Sequence, residues 1–286
     1  MIHYRNSILT KECHEAIDLV NKIYHILEQE NVLTSVYGIG IGAPNGNFYS
    51  GCIEYAPNLL WKGKIPLMQL FNERFKVKTV LTNDANAAAL GEQKYGAATD
   101  LSHFITITLG TGLGSGIIIN NQLIYGHDGF AGELGHVRVV PNGRVCGCGR
   151  KGCLETYVSA TGVVRSIIEL ESKNKLTSPL LKIEQPNATD VFNNAKEGDA
   201  FAQEIVDFTA KTLGNTLADF ACFSNPKAYI LFGGIAQSGQ TFAESVKYYM
   251  EEELLVIYKD KIEIRISTLH SKNAAVLGAS SLVWVN

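Results

Sequence analysis

Residues 79–90 read TVLTNDANAAAL. An apolar, β-branched run stops at a polar pair, Asn83-Asp84, and then passes without a break into alanine and leucine. The first part fits a buried strand and the second a helix, which puts the polar pair at the carboxyl end of a strand. Functional groups in open α/β sheets collect at that place. A carboxylate there can accept a hydroxyl proton while the neighbouring amide orients the molecule that carries it. Asp84 or Asn83 would serve equally well as the N-cap of the helix, and the local sequence leaves both roles open.

Working outward, residues 11–30 carry apolar side chains at Ala16, Ile17, Leu19, Val20, Ile23, Tyr24, Ile26 and Leu27. Spacings of three and four mark a helix, for which Thr10 is a plausible N-cap. SVYGIGIGAPN, 35–45, reads as a second buried strand opening into a loop. Residues 103–126, HFITITLGTGLGSGIIINNQLIYG, read as strand, glycine turn, strand, turn and strand. Helical character follows over 158–172 and, after a polar stretch containing Pro179 and Pro186, over 199–224. KAYILFGGIAQSG, 227–239, is a strand ending in a glycine loop, followed by a helix over 240–255, a strand over 262–269 and an apolar helix over 273–285. The alternation predicts an α/β fold, in two lobes with a boundary near residues 99–102.

The 286 residues are 46% hydrophobic and 19% charged, the composition of a folded globular protein. A formal charge of −3 and a pI near 6.2 give no basic footprint for nucleic acid or anionic membrane. No apolar run approaches the roughly 18 residues that would read as a membrane span. The first residues scatter apolar side chains among charges and show no signal-peptide core, so a cytoplasmic, reducing compartment is expected.

Three of the six cysteines, Cys146, Cys148 and Cys153, fall close together, with His136 upstream and Glu133 and Glu155 flanking them. Three thiolates and an imidazole make a recognised tetrahedral zinc set, and the intervening Gly147, Gly149 and Gly152 permit the tight turns it needs. Free thiols or a single disulfide are the alternative, but a Cys-x-Cys bridge is strained and the compartment reducing. A four-ligand shell leaves no open position, so the expected ion is structural. In TLGTGLGSG, 108–116, alternating glycines strip side chains from a turn and let backbone N–H groups approach phosphate oxygens. The spacing matches neither the dinucleotide fingerprint nor the lysine-bearing P-loop, and a plain hairpin turn is the alternative. Gly233 and Gly234 close a strand just before a helix, a place that suits either a nucleotide or an unliganded turn.

Together these segments resemble the ROK family (repressors, open reading frames and kinases), in particular its bacterial glucokinase branch. GHVRVVPNGRVCGCGRKGCLE is similar to that family's zinc signature, and TNDANAAALGE, ITLGTGLGSGIIINNQLIYG and FGGIA occur in the family's order. The resemblance runs from about residue 36 onward. It implies an actin-like (ribonuclease H-like), two-lobed ATPase fold. Residues 1–100 would form the small lobe, joined by a C-terminal helix over 272–286, and 101–271 the large lobe with the zinc site. It further implies that Asp84 is the base for a sugar 6-hydroxyl and that Asn83, Glu133, His136 and Glu155 bind sugar hydroxyls, with Asn58 a weaker candidate. The stretch 110–116, with Gly110, Thr111, Gly112 and Gly114, would hold ATP phosphates, and Gly233 and Gly234 would face the nucleoside. His136, Cys146, Cys148 and Cys153 would hold Zn2+, and Mg2+ would accompany ATP. Gly38, Gly40 and Gly42 are expected to bring backbone close to the sugar.

One departure stands against this pattern. Kinases of the family open with a strand bearing Asp-x-Gly-Gly-Thr, the first phosphate loop, and that motif is absent from the sequence. The small lobe is therefore expected to be incomplete at its N-terminus, with the strand in 35–45 left with an exposed edge. The expected explanation is a start assigned too far downstream, the other being a truncation that retains sugar binding alone. The expected activity is ATP-dependent phosphorylation of a hexose, glucose first, with N-acetylmannosamine, N-acetylglucosamine or fructose as alternative acceptors. A repressor of the same family would need a helix-turn-helix segment that the sequence lacks. Homodimers or homotetramers are common in the family and expected here.

Overall fold

The structure, a computed structural model, describes residues 4–172, 177–269 and 274–284. Helix α1 (Ala16–Gln29) lays its apolar face over a small core built around Val20, Trp61, Phe71 and Leu81. Its N-cap is Glu15, whose backbone N–H donates to Asp18 Oδ2 at 2.9 Å, and not Thr10. Thr10 opens a separate 3-10 turn, Thr10–Glu12. The two are kept apart because Cys13 is extended and fully buried, its carbonyl accepting a 3.0 Å bond from Trp61 Nε1. A chain held in that conformation cannot continue a helix.

Strand β1 (Gly38–Ala43) is followed by a short antiparallel pair, β2 (Ile53–Glu54) and β3 (Lys64–Ile65), then α2 (Leu67–Phe75). Strand β4 (Lys78–Asn83) runs parallel to β1 with Ala43 opposite Asn83, and helix α3 (Asp84–Tyr95) begins at the next residue. The strand-to-helix junction expected at 79–90 is therefore present, and Asn83 is the cap: its Oδ1 accepts from Ala85 N at 2.8 Å. Among the described residues no third strand joins β1 and β4.

The larger sheet has the order β7-β6-β5-β8-β9. Strands β5 (Phe104–Leu109), β6 (Leu113–Ile119) and β7 (Gln122–Leu123) pair antiparallel, as the pattern over 103–126 predicts. Helices α4 (Glu155–Val158), α5 (Ala160–Glu171), α6 (Ala188–Lys196) and α7 (Ala200–Ser224) follow. Strand β8 (Ala228–Phe232) lies parallel to β5, and, after α8 (Gln240–Glu253), β9 (Glu263–Ile266) lies parallel to β8. The main core packs β5 and β8 side chains such as Ile107, Tyr229 and Leu231 against Phe201, Leu213 and Leu217 of α7 and Val246 and Met250 of α8.

Helix α9 (Ala274–Ser281) ends in a 3-10 turn, Leu282–Trp284, so the expected helix over 273–285 is shorter, its first and last residues lying outside the described ones. It returns to lie against α3 and β1, and the contact is made of glycine and alanine. A Cβ on Gly40 would collide with Ala279 O, one on Gly278 with Ala87 O, and one on Gly91 with Ala274 O. A Cβ on Gly42 would stand 3.0 Å from Ala87 Cβ. Gly40 and Gly42 of β1 thus seat two helices. Gly116 in β6 does the same from the other sheet, since its Cβ would lie 2.6 Å from Ala89 Cβ. Helix α3 is gripped on several sides, and Asp84 is its first residue.

Candidate functional site

Asp84 Oδ1 accepts from Ala85 N at 2.9 Å, and the carboxylate is open to solvent at the head of α3. Desolvation by the surrounding protein nevertheless pushes its pKa above the ordinary carboxylate value. Glu133, in the turn that leads to His136, is raised by desolvation too; the His136 charge opposes this, and Asp84 and Glu155 add to it. Glu133 thus feels the charges of Asp84, His136 and Glu155, groups that come from separate parts of the chain. His136 Nε2 lies 3.9 Å from Glu133 Oε2.

The other face of His136 belongs to the cysteines. One ligand atom each from His136, Cys146, Cys148 and Cys153 lies within 4.8 Å of the others. Cys146 Sγ is 3.6 Å from His136 Nδ1, and Cys148 Sγ is 3.7 Å from Cys153 Sγ. A tetrahedral zinc with ordinary bond lengths has S···S edges of about 3.8 Å and S···N edges of about 3.6 Å, so the set fits the ion. The sulfur separation is far too long for a disulfide. Burial holds the Cys146 thiol up at about 12, so the sulfur keeps its proton unless a cation displaces it. Local backbone forms the knuckle: Cys146 N donates to Arg150 O at 2.9 Å, and Gly149 and Gly152 adopt φ of 84° and 80°.

Glu155 joins this cluster to the glycine turn. Its Oε1 lies 3.6 Å from Cys146 Sγ, and its Oε2 accepts from Leu113 N at 2.9 Å. Gly112 makes room for that carboxylate, because a Cβ there would stand 2.5 Å from Oε2. The open turn is shorter than expected, covering only Gly110, Thr111 and Gly112 between β5 and β6. Gly114 and Gly116 lie inside β6. The N–H of Gly114 already donates to Thr108 Oγ1 at 3.0 Å, and its Cα faces Ala85 of α3. Gly114 therefore packs against α3, with its N–H already bonded within the hairpin.

Gly110, Thr111 and Gly234 line a cavity of about 410 Å3, bounded on the far side by α6 through Ala188, Thr189, Phe192, Asn193 and Lys196. Gly233 sits behind it at φ 108°, against the Leu109 carbonyl. Ser238 also lines the cavity, and its buried Oγ has no hydrogen-bond partner among the described residues. An apolar cleft with few polar groups and an unsatisfied hydroxyl is the chemistry of a small-molecule site. Asn58 is placed differently: it is exposed in a turn after β2, and no hydrogen bond among the described residues ties it to Asp84 or to the cysteine cluster.

Two groups escaped the sequence reading. Arg144 is buried, and its guanidinium donates to both Glu169 oxygens at 2.9 Å, to Thr156 O and Gly162 O, and to Ser166 Oγ, clamping the cysteine loop to α5. The second is a bridge between the segments after β1 and after β7: Phe48 stacks on Tyr125 at 4.1 Å, and Asn47 Nδ2 donates to Asp128 O at 2.7 Å. Burial first of all pushes the Tyr125 hydroxyl up to about 12, so it stays protonated beside Thr82. For α6, the signal present in the sequence is Asn187 with Asp190 three residues on, directly after Pro186; these form its reciprocal cap.

No helix among the described residues is long and apolar enough to cross a membrane. The chain is 38% identical to a glucokinase of Halalkalibacterium halodurans over 255 residues, 87% of this chain and 77% of that protein. It is 32% identical to a xylose repressor of Bacillus subtilis, over 93% of this chain and 66% of the repressor. Its fold superposes on a ROK family glucokinase from Streptomyces griseus, solved with glucose and AMPPNP, with a TM-score of 0.80 and 32% identity, covering 94% of this chain and 88% of that one. The ROK family profile matches residues 2–285, and the chain belongs to the ROK family.

Proposed function

We propose that the protein is a sugar kinase that transfers the γ-phosphoryl group of ATP to the 6-hydroxyl of a hexose, glucose first. The observation that carries this reading is the convergence of Asp84, Glu133, His136 and Glu155 on one space beside the turn 110–112. The relatives named glucokinase, and the solved relative that holds glucose and a non-hydrolysable ATP analogue, support the same reading.

In this reading Glu133, His136 and Glu155 bind sugar hydroxyls through carboxylate oxygens and the imidazole edge that faces away from the cysteines. Asn83 keeps its amide nitrogen for the same purpose while its oxygen caps α3. Asp84 accepts the 6-hydroxyl proton as that oxygen attacks phosphorus. Its raised pKa makes the carboxylate a stronger base than an ordinary one. Phosphoryl transfer asks little covalent work of a protein, so the remaining task is positioning. The cavity beside Gly110, Thr111 and Gly234 takes the nucleotide. Mg2+ bound with the triphosphate would neutralise charge on its oxygens. His136, Cys146, Cys148 and Cys153 would hold a structural Zn2+, which fixes the His136 ring and the two glutamates around it.

The test is ADP release, coupled to an optical readout, from the chain with glucose and Mg-ATP. Glucose-dependent ADP release supports the reading. No release, with glucose still raising the melting temperature, would leave a sugar-binding protein without transfer, and N-acetylmannosamine or fructose acting better than glucose would move the acceptor.

A further inference from the structure

The turn 110–112 has less to give a phosphate than its glycines suggest. Gly110 N donates to Gly112 O at 3.1 Å, Leu113 N to Glu155 Oε2 at 2.9 Å and Gly114 N to Thr108 Oγ1 at 3.0 Å. That leaves the N–H groups of Thr111 and Gly112, with the Glu155 carboxylate directly behind them. An anion there meets few donors and a nearby like charge, so beyond the Mg2+ that would accompany the triphosphate, positive charge elsewhere in the cavity would help to hold it.

Among the described residues one charged side chain lines that cavity, Lys196. Thr189, Asn193 and Lys196 recur at spacings of four and three and so share an edge of α6, beside the apolar pair Ala188 and Phe192. At about 1.5 Å per residue this edge is about 10 Å long, enough to follow a nucleoside into its first phosphates. The Lys196 ammonium has no ion pair among the described residues. The unsatisfied Ser238 Oγ on the opposite wall marks the same cavity as one that expects a polar ligand.

We propose that Lys196 is a donor-binding residue whose ammonium pairs with the phosphates of the nucleotide and supplies the positive charge that the glycine turn lacks. The proposal rests on the kinase reading and names a residue for it. Calorimetric titration of the full chain, Lys196→Gln and Lys196→Arg with ATP and with adenosine, at low and at physiological salt, tests it. Lys196→Gln should weaken ATP about 5-fold, more at low salt, with Lys196→Arg recovering most of the loss and adenosine binding unmoved. Unchanged ATP affinity in Lys196→Gln overturns the proposal, and so does an equal loss for adenosine, which would put the side chain on the nucleoside. Failure of the unaltered chain to bind ATP would instead overturn the donor reading of the cavity, and this proposal with it.

Discussion

Gly116→Ala tests the claim that Asp84 is positioned by packing around α3. The added Cβ would lie 2.6 Å from Ala89 Cβ and 2.9 Å from Ala85 O, where ordinary contact begins at 3.4 Å. Sheet and helix must therefore separate by about 0.8 Å, and neither neighbour is a flexible side chain that can turn away. Overpacking of this kind costs about 1–3 kcal/mol, offset by about 0.5–1 kcal/mol because glycine is itself a poor strand residue. A net loss of about 1.5 kcal/mol is expected, read from the midpoint of urea unfolding at unchanged slope. The same displacement moves Asp84, and a shift approaching 1 Å at a reacting group costs on the order of 10- to 100-fold in turnover. If Gly116→Ala unfolds at the same urea concentration and keeps its turnover within about two-fold, the helix is not held as described.

Asp84→Asn should lower turnover by about 10²–10⁴ with sugar affinity nearly unchanged; large loss of affinity with retained turnover would contradict a base. Because desolvation raises the Asp84 pKa, the carboxylate is protonated, and activity lost, as pH falls through a value above the ordinary carboxylate range. The acid limb of kcat/KM should therefore lie above that range. Cys148→Ser should release bound zinc, measured by a chromogenic chelator, and weaken sugar binding with it; a variant that stays metal-loaded and fully stable refutes the four-ligand site. Arg144→Leu strips hydrogen bonds from Thr156 O, Gly162 O and Ser166 Oγ and leaves Glu169 to solvent, so about 3 kcal/mol of stability should go. A loss below about 1 kcal/mol in urea unfolding would mean the loop holds without its clamp.

What could be read in the sequence was what short-range chemistry decides. The run of β-branched residues into Asn83-Asp84 fixes a strand, a cap and a helix within a dozen positions, and the antiparallel strands of 103–126 announce themselves by the turns between them. The cysteine set was legible for the same reason, since three of its members lie within one loop. Glycine was where the sequence said least. A glycine that lets a ligand approach and one that lets a helix approach look identical in one dimension, and Gly40, Gly42, Gly114 and Gly116 all let a helix approach. Arg144 was invisible because its partners stand 12 to 25 residues away and mean nothing until α5 folds back on the loop. Thr10 lost the cap of α1 to Glu15 because a carbonyl bond from Trp61, 48 residues along, holds Cys13 extended.

Glu155 touches two parts of the candidate site at once. One oxygen lies at the cysteine cluster and the other carries the backbone of the glycine turn, so a single side chain belongs to both halves of the site. Any event that reorients it at one end changes the free energy of the other, and linkage makes the effect reciprocal. In the proposed site, a sugar that turned the Glu155 carboxylate would shift the nucleotide's affinity, and the nucleotide would shift the sugar's by the same factor.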